Sequence, residues 1–465
     1  MQVIDPSTGE RGARYEEHDE RAIDAALARA HAAFASWRQR SFEERAEVLR
    51  VAARVLRAQS RAFAELMTAE MGKPVTQGVA EAEKCAWVCE HYADHAAAYL
   101  APEPAATDAK ESFVSYQPLG TTFAIMPWNF PFWQVFRHAA PSLMAGNTVV
   151  LKHAENVPGC ALAIERVFRE AGAPDGAFVT LLIGRDRAAR VIRDRRVAAV
   201  ALTGSTRAGR AVASTAGEVL KKTVLELGGS DAYLVLADAD VELAAEVCAA
   251  SRLINSGQSC IAAKRFIVVD EVRDAFTQRF VEHMRAAKMG DPRLEDTAVG
   301  PQAREDLRRD LHRQVEQSIA KGARPLLGCE VPRGRGFFYP PSVLADVRPG
   351  MPAFDEEVFG PVAAIVPAKD EEEAIALANR TVFGLGGAVF TRDVERGRAI
   401  AETRLEAGAC FVNAFVRSDP RLPFGGVKES GYGRELARYG ILELVNIKSV
   451  YVGHGPSTRV SAPRE

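Results

Sequence analysis

The sequence predicts an α/β protein: a Rossmann-like parallel-sheet domain, a second α/β domain and a small β element. Three observations carry that prediction. Strand-like and helix-like segments alternate from Thr121 to Leu227 with short connections, the rhythm of a parallel sheet covered by helices on both faces. The alternation restarts after Gly228-Gly229, a plausible hinge. Near the end, Asn446-Ile-Lys-Ser-Val-Tyr-Val452 alternates as an isolated strand that must pair with something. At 465 residues, with 47% hydrophobic and 26% charged, the chain is too long for one ordinary core and too apolar to be disordered.

The elements follow in order. Ser41-Phe-Glu-Glu44 is a capping box, in which hydroxyl and carboxylate satisfy orphan N–H groups. Leu49, Ala52, Ala53 and Leu56 follow it at helical spacing. A second helix spans residues 81–99, a linker 101–109 and a short strand 113–116. Strands are expected at 123–126, 148–151, 178–183, 197–202 and 223–227, with helices at 132–145, 159–171, 187–193 and 206–213 between them. In the second unit, strands are expected at 233–236, 265–269, 362–366, 388–390 and 410–413, and a helix at 239–253. The domain boundaries drawn are 1–104 with 118–228 for the dinucleotide-type domain, 229–430 for the second, and 105–117 with 446–460 for the β element.

Charge and cysteine content bound the function. With 59 basic and 61 acidic residues, the net charge of −2 offers no basic field for nucleic acid. The seven cysteines are scattered, with no Cys-x-x-Cys pair and no matching histidines. No disulfide framework and no metal site is therefore expected, and a reducing compartment is favoured. The start has no signal pattern and no apolar run reaches membrane-spanning length, so a cytoplasmic protein with no membrane partner is expected.

Seven segments can carry chemistry, each with an ordinary structural alternative. Asn255-Ser-Gly-Gln-Ser-Cys260 sets a thiol on a tight connection between helix and strand; most cysteines are simply small core residues. Pro127-Trp128-Asn129-Phe130-Pro131 holds an amide donor at the sheet edge where ligands bind, suited to an oxyanion or merely to a turn. Leu225-Glu226-Leu227 places a carboxylate at a strand end; in an apolar cleft its pKa rises to suit a general base, and in solvent it does nothing. Thr203-Gly204-Ser205-Thr206-Arg207-Ala208-Gly209 opens a helix whose free N–H groups attract phosphate, or is a capped start and no more. Lys152 and Glu155 end another strand, where an acid can hold ribose hydroxyls. Glu357-Val-Phe359-Gly-Pro361 and Pro423-Phe-Gly-Gly426 are rigid loops. The nine histidines are scattered; His138 and His153 read as core or surface residues.

Together, in this order, the seven segments resemble the NAD(P)-dependent aldehyde dehydrogenase superfamily over nearly the whole chain. The resemblance implies that Cys260 attacks the aldehyde carbon, that Asn129 and the Cys260 N–H hold the oxyanion, and that Glu226 activates the water that hydrolyses the resulting thioester. It implies cofactor contacts from Trp128, Lys152, Glu155, Gly204, Ser205, Gly209, Glu357 and Phe359. A carboxylate at Glu155 repels a 2′-phosphate, which favours NAD; Arg207 and Arg210 leave NADP open.

The similarity runs nearest to bacterial succinate-semialdehyde dehydrogenases, through Leu151-Lys-His-Ala, Asn156-Val-Pro-Gly-Cys-Ala161 and Trp133-Gln-Val-Phe-Arg137. It implies that Arg137, at the tunnel entrance, binds a distal carboxylate with Ser418 and Arg421, and that removing Arg137 spares butanal. The chain departs from relatives at Ile254, where some carry an arginine, and at Gly184-Arg-Asp-Arg, a reduced phosphate turn. The alternatives are another aliphatic aldehyde or semialdehyde, a CoA-acylating enzyme, against which Glu226 argues, and a silent scaffold. A homodimer or homotetramer with an exchanged strand is expected.

Overall fold

The computed structural model describes residues 1–454. Five strands of the first sheet are parallel, in the order Lys222–Glu226, Val197–Thr203, Thr121–Met126, Thr148–His153 and Phe178–Thr180. Gly431–Tyr432 adds an antiparallel edge beside Lys222–Glu226, so a segment from beyond residue 430 completes the first sheet. The carboxyl ends of its strands carry Met126, His153, Thr203 and Glu226. Four of the seven segments therefore begin at one edge, as doubly wound sheets require.

The helices of the first part cover this sheet. Ser41 and Glu44 form the expected reciprocal cap, with N···O distances of 2.7 and 3.2 Å. The second helix is longer than its pattern implied, Val75–Tyr99. Its buried Glu81 accepts hydrogen bonds from the N–H groups of Phe132 and Trp133 at 2.8 and 2.9 Å. Those are free donors at the start of the helix Trp133–Ala145. Buried Lys73 neutralises the same carboxylate, so the turn holding Asn129 is anchored by a carboxylate about fifty residues earlier.

The second sheet has seven strands, ordered Arg324–Leu327, Ser342–Ala345, Val362–Ala368, Arg265–Val269, Ala232–Val235, Gly386–Phe390 and Ala409–Val412. All are parallel except the first. Every residue of Arg265–Val269 and Gly386–Phe390 is buried, as parallel strands covered on both faces are. The expected strand at 178–183 stops at Thr180, and a 3₁₀ turn, Arg185–Arg187, precedes the helix Ala188–Arg193.

The last strand, Val445–Val452, pairs antiparallel with Glu111–Pro118, Val450 opposite Phe113. Glu103–Pro104 completes this three-stranded sheet. Residues 455–460 of the β element drawn from the sequence lie outside the described residues. Among the described residues no helix is long and apolar enough to cross a membrane.

Candidate active site

Cys260 sits on a loop that the backbone over-determines. Asn255, Ser256 and Gly257 all have positive φ, at 52°, 57° and 75°. Only glycine takes this region freely, and asparagine tolerates it best of the rest; strain of this kind persists where the surroundings hold it. A Cβ on Gly257 would lie 2.2 Å from the Gly360 carbonyl oxygen, so the loop bearing Glu357 presses directly on it. Buried Arg252 donates to the Gly257 carbonyl at 2.6 Å. The Ser256 hydroxyl accepts from the Gly300 N–H at 2.9 Å, and the Gln258 side chain accepts from the Ala303 N–H at 2.9 Å.

Asn129 is buried against the same loop. Its Nδ2 donates to the Gln258 carbonyl at 3.1 Å, and Asn255 donates to the Asn129 carbonyl at 2.6 Å. One amide hydrogen of Asn129 is thereby committed and fixes the plane; the second remains for a ligand. Gly229 also matters here: a Cβ on it would meet the Cys260 carbonyl oxygen at 2.8 Å.

Burial pushes the Cys260 thiol up to about 12; Arg137 and Lys264 pull it down, and Glu357 and Glu226 push it up. The four charged groups thus act on one sulfur. Glu226 is 3% exposed and its Oε1 is without a hydrogen-bond partner. Burial holds its pKa well above the usual carboxylate range; the Arg137 cation opposes the rise and Glu435 adds to it. A buried carboxylate with a raised proton affinity, whose charge reaches the thiol, suits a general base. Gly425 comes so close that a Cβ there would lie 2.7 Å from Glu226 Oε1.

Lys264 is a site residue that sequence reasoning missed, since it reads as the start of a strand. Its side chain is fully buried, and its ammonium donates to the carbonyls of Ser259 and Cys260 and lies 4.0 Å from Glu357. Glu357 also accepts from the Gly229 N–H at 3.0 Å.

The remaining cofactor candidates line the edge of the first sheet. Trp128 and Phe359 meet edge-to-face with ring centroids 5.8 Å apart. Ser205 caps the helix Thr206–Glu218, accepting from the Ala208 N–H at 3.3 Å, and the Gly204 N–H is taken by the Glu226 carbonyl at 2.9 Å. Gly209 serves packing: a Cβ would lie 2.6 Å from Leu227. Lys152 is buried, with Glu155 the largest charge acting on it. Glu155 Oε1 accepts from the Arg185 N–H at 3.0 Å, so the reduced turn at Gly184 is a 3₁₀ start capped by that carboxylate. Arg207 is exposed, and Arg210 is paired with Glu429 at 2.6 Å. His138 and His153 are buried with pKa lowered to about 4 by that burial, as core residues.

The placement of Arg137 differs from the expectation. It is 2% exposed, forms an ion pair with buried Glu435 and lies over the Phe424 ring at 4.8 Å. It is therefore inside the site and not at an entrance. The residue near the surface is Arg421, which pairs with Asp419 at 2.7 Å and reaches over Trp87. Ser418 is buried, and its hydroxyl accepts from Lys84 at 2.8 Å.

A thiol, a rigid amide donor and a buried carboxylate now stand near the edge of a dinucleotide-type sheet, a set that fits an oxidoreductase. The model of the aldehyde dehydrogenase family matches residues 1–450. The chain is 50% identical over 448 residues to the succinate semialdehyde dehydrogenase [NAD(P)+] Sad of Escherichia coli K12, covering 96% of this chain and 97% of that protein. It is 50% identical over 450 residues to a probable succinate-semialdehyde dehydrogenase [NADP(+)] of Synechocystis, covering 97% and 99%. The crystal structure of succinic semialdehyde dehydrogenase from Streptococcus pyogenes in complex with NADP+ superposes with a TM-score of 0.95 at 38% identity, covering 97% of this chain and 100% of that one. The chain belongs to the aldehyde dehydrogenase family.

Proposed function

We propose that the protein oxidises succinic semialdehyde to succinate with a nicotinamide dinucleotide, through a covalent Cys260 intermediate. The observation that carries this reading is the Cys260 loop, held against the Asn129 amide while Arg137, Lys264 and Glu226 act on its sulfur. The substrate is that of the relatives named above, which match the chain end to end.

The residues divide the work. The Cys260 sulfur, once deprotonated, forms a bond to the aldehyde carbon, and the carbonyl electron pair moves to oxygen. The second Asn129 amide hydrogen and the Cys260 N–H receive that oxyanion, an arrangement worth about 2.7–4 kcal/mol per donor in comparable sites. A bound nicotinamide would supply the acceptor for the hydride that leaves this carbon as the oxyanion pair re-forms the carbonyl, which leaves a thioester on Cys260. Glu226 then takes a proton from water; the water oxygen attacks the thioester carbon, the C–S bond breaks, and the acid departs with Cys260 regenerated.

The chemistry of the sheet edge fits a dinucleotide. Lys152 and Glu155 would hold the adenine-side ribose, Ser205 and the helix start it caps the pyrophosphate, and Trp128, Glu357 and Phe359 would complete the cleft; Gly204, whose N–H is taken by the Glu226 carbonyl, and Gly209, packed on Leu227, serve the backbone there. A carboxylate at Glu155 favours NAD by repelling a 2′-phosphate; the relatives named for NADP(+) support its use as a second cofactor. All seven cysteines are free, which suits the reducing cytoplasm. Ile447 and Tyr451 on the last strand are 60% and 58% exposed. That apolar face supports a homodimer or homotetramer formed through the strand, measurable by sedimentation.

The test is Cys260→Ala. NADH formation at 340 nm with succinic semialdehyde should vanish while NAD binding, followed by tryptophan quenching, stays within about twofold of wild type. Residual turnover at a substantial fraction of wild type removes the covalent route.

A further inference from the structure

Lys84 is a partly buried cation that neither the catalytic chemistry nor the cofactor cleft uses. It projects from the helix Val75–Tyr99, donates to Ser418 Oγ at 2.8 Å and lies 4.2 Å from the centre of the Trp133 ring. No carboxylate among the described residues lies within ion-pair distance of it; of the acids whose charge reaches it, Glu81 is taken by Lys73 and Asp419 by Arg421. A cation removed from water without a counter-ion is unfavourable unless something brings one. Burial first, and Arg137 second, lower its pKa to about 8.

The neighbours say which anion fits. Trp133 and Arg137 are one turn apart on the same helix, so the Lys84 ammonium and the Arg137 guanidinium flank one stretch of that helix. Exposure falls inward, from Arg421 with 67% of its side chain exposed, through partly exposed Lys84, to Ser418 at 5% and Arg137 at 2%. The inner cation is neutralised by Glu435; Lys84, with a hydroxyl beside it and an indole beneath it, is partly exposed and has no ion-pair partner among the described residues. Ile254 is uncharged, and the buried cation of the segment before Cys260, Arg252, is turned onto the Gly257 carbonyl at 2.6 Å.

We propose that Lys84, held by Ser418 over the Trp133 indole, binds the distal carboxylate of the substrate and selects aldehydes bearing a terminal carboxylate over uncharged ones of the same length. This rests on the succinic semialdehyde reading and assigns its selectivity to a residue on a helix far from the thiol in sequence. Lys84 is also a cleaner determinant than Arg137. Arg137 is among the charges acting on both Cys260 and Glu226, whereas Lys84 is not.

The experiment measures kcat/KM for succinic semialdehyde and for butanal in wild type, Lys84→Met, Lys84→Gln and Lys84→Arg. A hydrogen-bonded carboxylate contact of this type is worth roughly ten- to a hundredfold. The ratio of the two kcat/KM values should fall by that factor in Lys84→Met, mainly through KM for the acidic aldehyde, and should be largely kept in Lys84→Arg. Lys84→Gln, which retains the bond to Ser418 without the charge, repeats the test where methionine packs badly and should lose the ratio too. A ratio that stays at its wild-type value in the folded neutral variant, or an equal loss on both aldehydes, overturns the assignment. A wild-type enzyme with no preference for succinic semialdehyde over butanal refutes instead the substrate reading on which it rests.

Discussion

Replacing Arg137 with methionine should damage turnover of every aldehyde, and the structure gives the size of the effect. The guanidinium is buried, ion-paired with Glu435, and the largest charge opposing the upward shift of the Glu226 carboxyl. A nearby opposite charge typically lowers a carboxyl pKa by about one to three pH units, so losing this one moves the Glu226 carboxyl further up. Each pH unit is about 1.4 kcal/mol and, below the new pKa, tenfold less of the ionised base. Steady-state turnover of butanal at pH 7 should therefore fall roughly ten- to a thousandfold. The sign follows from the role: Glu226 acts deprotonated, so the loss is greatest at low pH and shrinks as pH rises, moving the rising limb of the kcat profile upward. The assay is NADH formation between pH 6 and pH 10, with a rapid-mixing measurement of the first turnover. Arg137→Lys should move the limb back. The expectation drawn from sequence, that butanal would be spared, assumed a side chain at an entrance; the buried pair with Glu435 removes that assumption. A butanal profile whose rising limb does not move refutes the coupling of Arg137 to the base.

Two further perturbations separate the thiol from the cofactor. Lys264→Met removes the buried ammonium from the carbonyls of Ser259 and Cys260 and should raise the thiol further; alkylation of the apoenzyme by iodoacetamide at pH 8 should slow about tenfold, for a change of one pH unit, and an unchanged rate would show that the lysine only braces the loop. Glu155→Ser should shift the ratio of kcat/KM for NAD and NADP towards NADP by tenfold or so, the worth of removing one repulsive charge in a partly solvated site; a ratio that does not move means that the carboxylate serves only as the cap on the Arg185 N–H.

What was legible in the sequence divides along a physical line. The fully buried parallel strands announce themselves as β-branched runs such as Arg265-Phe-Ile-Val-Val269, because both faces are apolar. Arg324–Leu327 and Gly431–Tyr432 do not. The first is an exposed edge strand containing Pro325 and the second is two residues long, and both exist only because a neighbouring strand offers hydrogen bonds. The terminal strand was readable by its alternation, which left its partner open between the strand through Phe113 and a neighbouring subunit; in the fold it pairs with the strand through Phe113.

The site divides in the same way. Cys260 and Asn129 lie in segments whose glycines and prolines are demanded by local backbone geometry, so the local sequence carries them. Glu435, Lys84 and Lys264 carry no such mark. Lys84 closes the short charged run Glu81-Ala-Glu-Lys84 and reads as one more solvated side chain, because nothing local records that Trp133 and Ser418 close over it. Glu435 follows Gly433-Arg434 and reads as loop polarity, because its partner Arg137 lies 298 residues earlier and on another element. The backbone that holds a nucleophile is specified over short range, where a positive φ needs a particular residue. The charges that surround it are contributed over long range, where any acidic or basic residue at the right place in space suffices. Hence the reaction class was readable from short motifs, while the selectivity proposed for Lys84, a lysine left without a carboxylate, emerges only from the packing of helices onto the sheet edge.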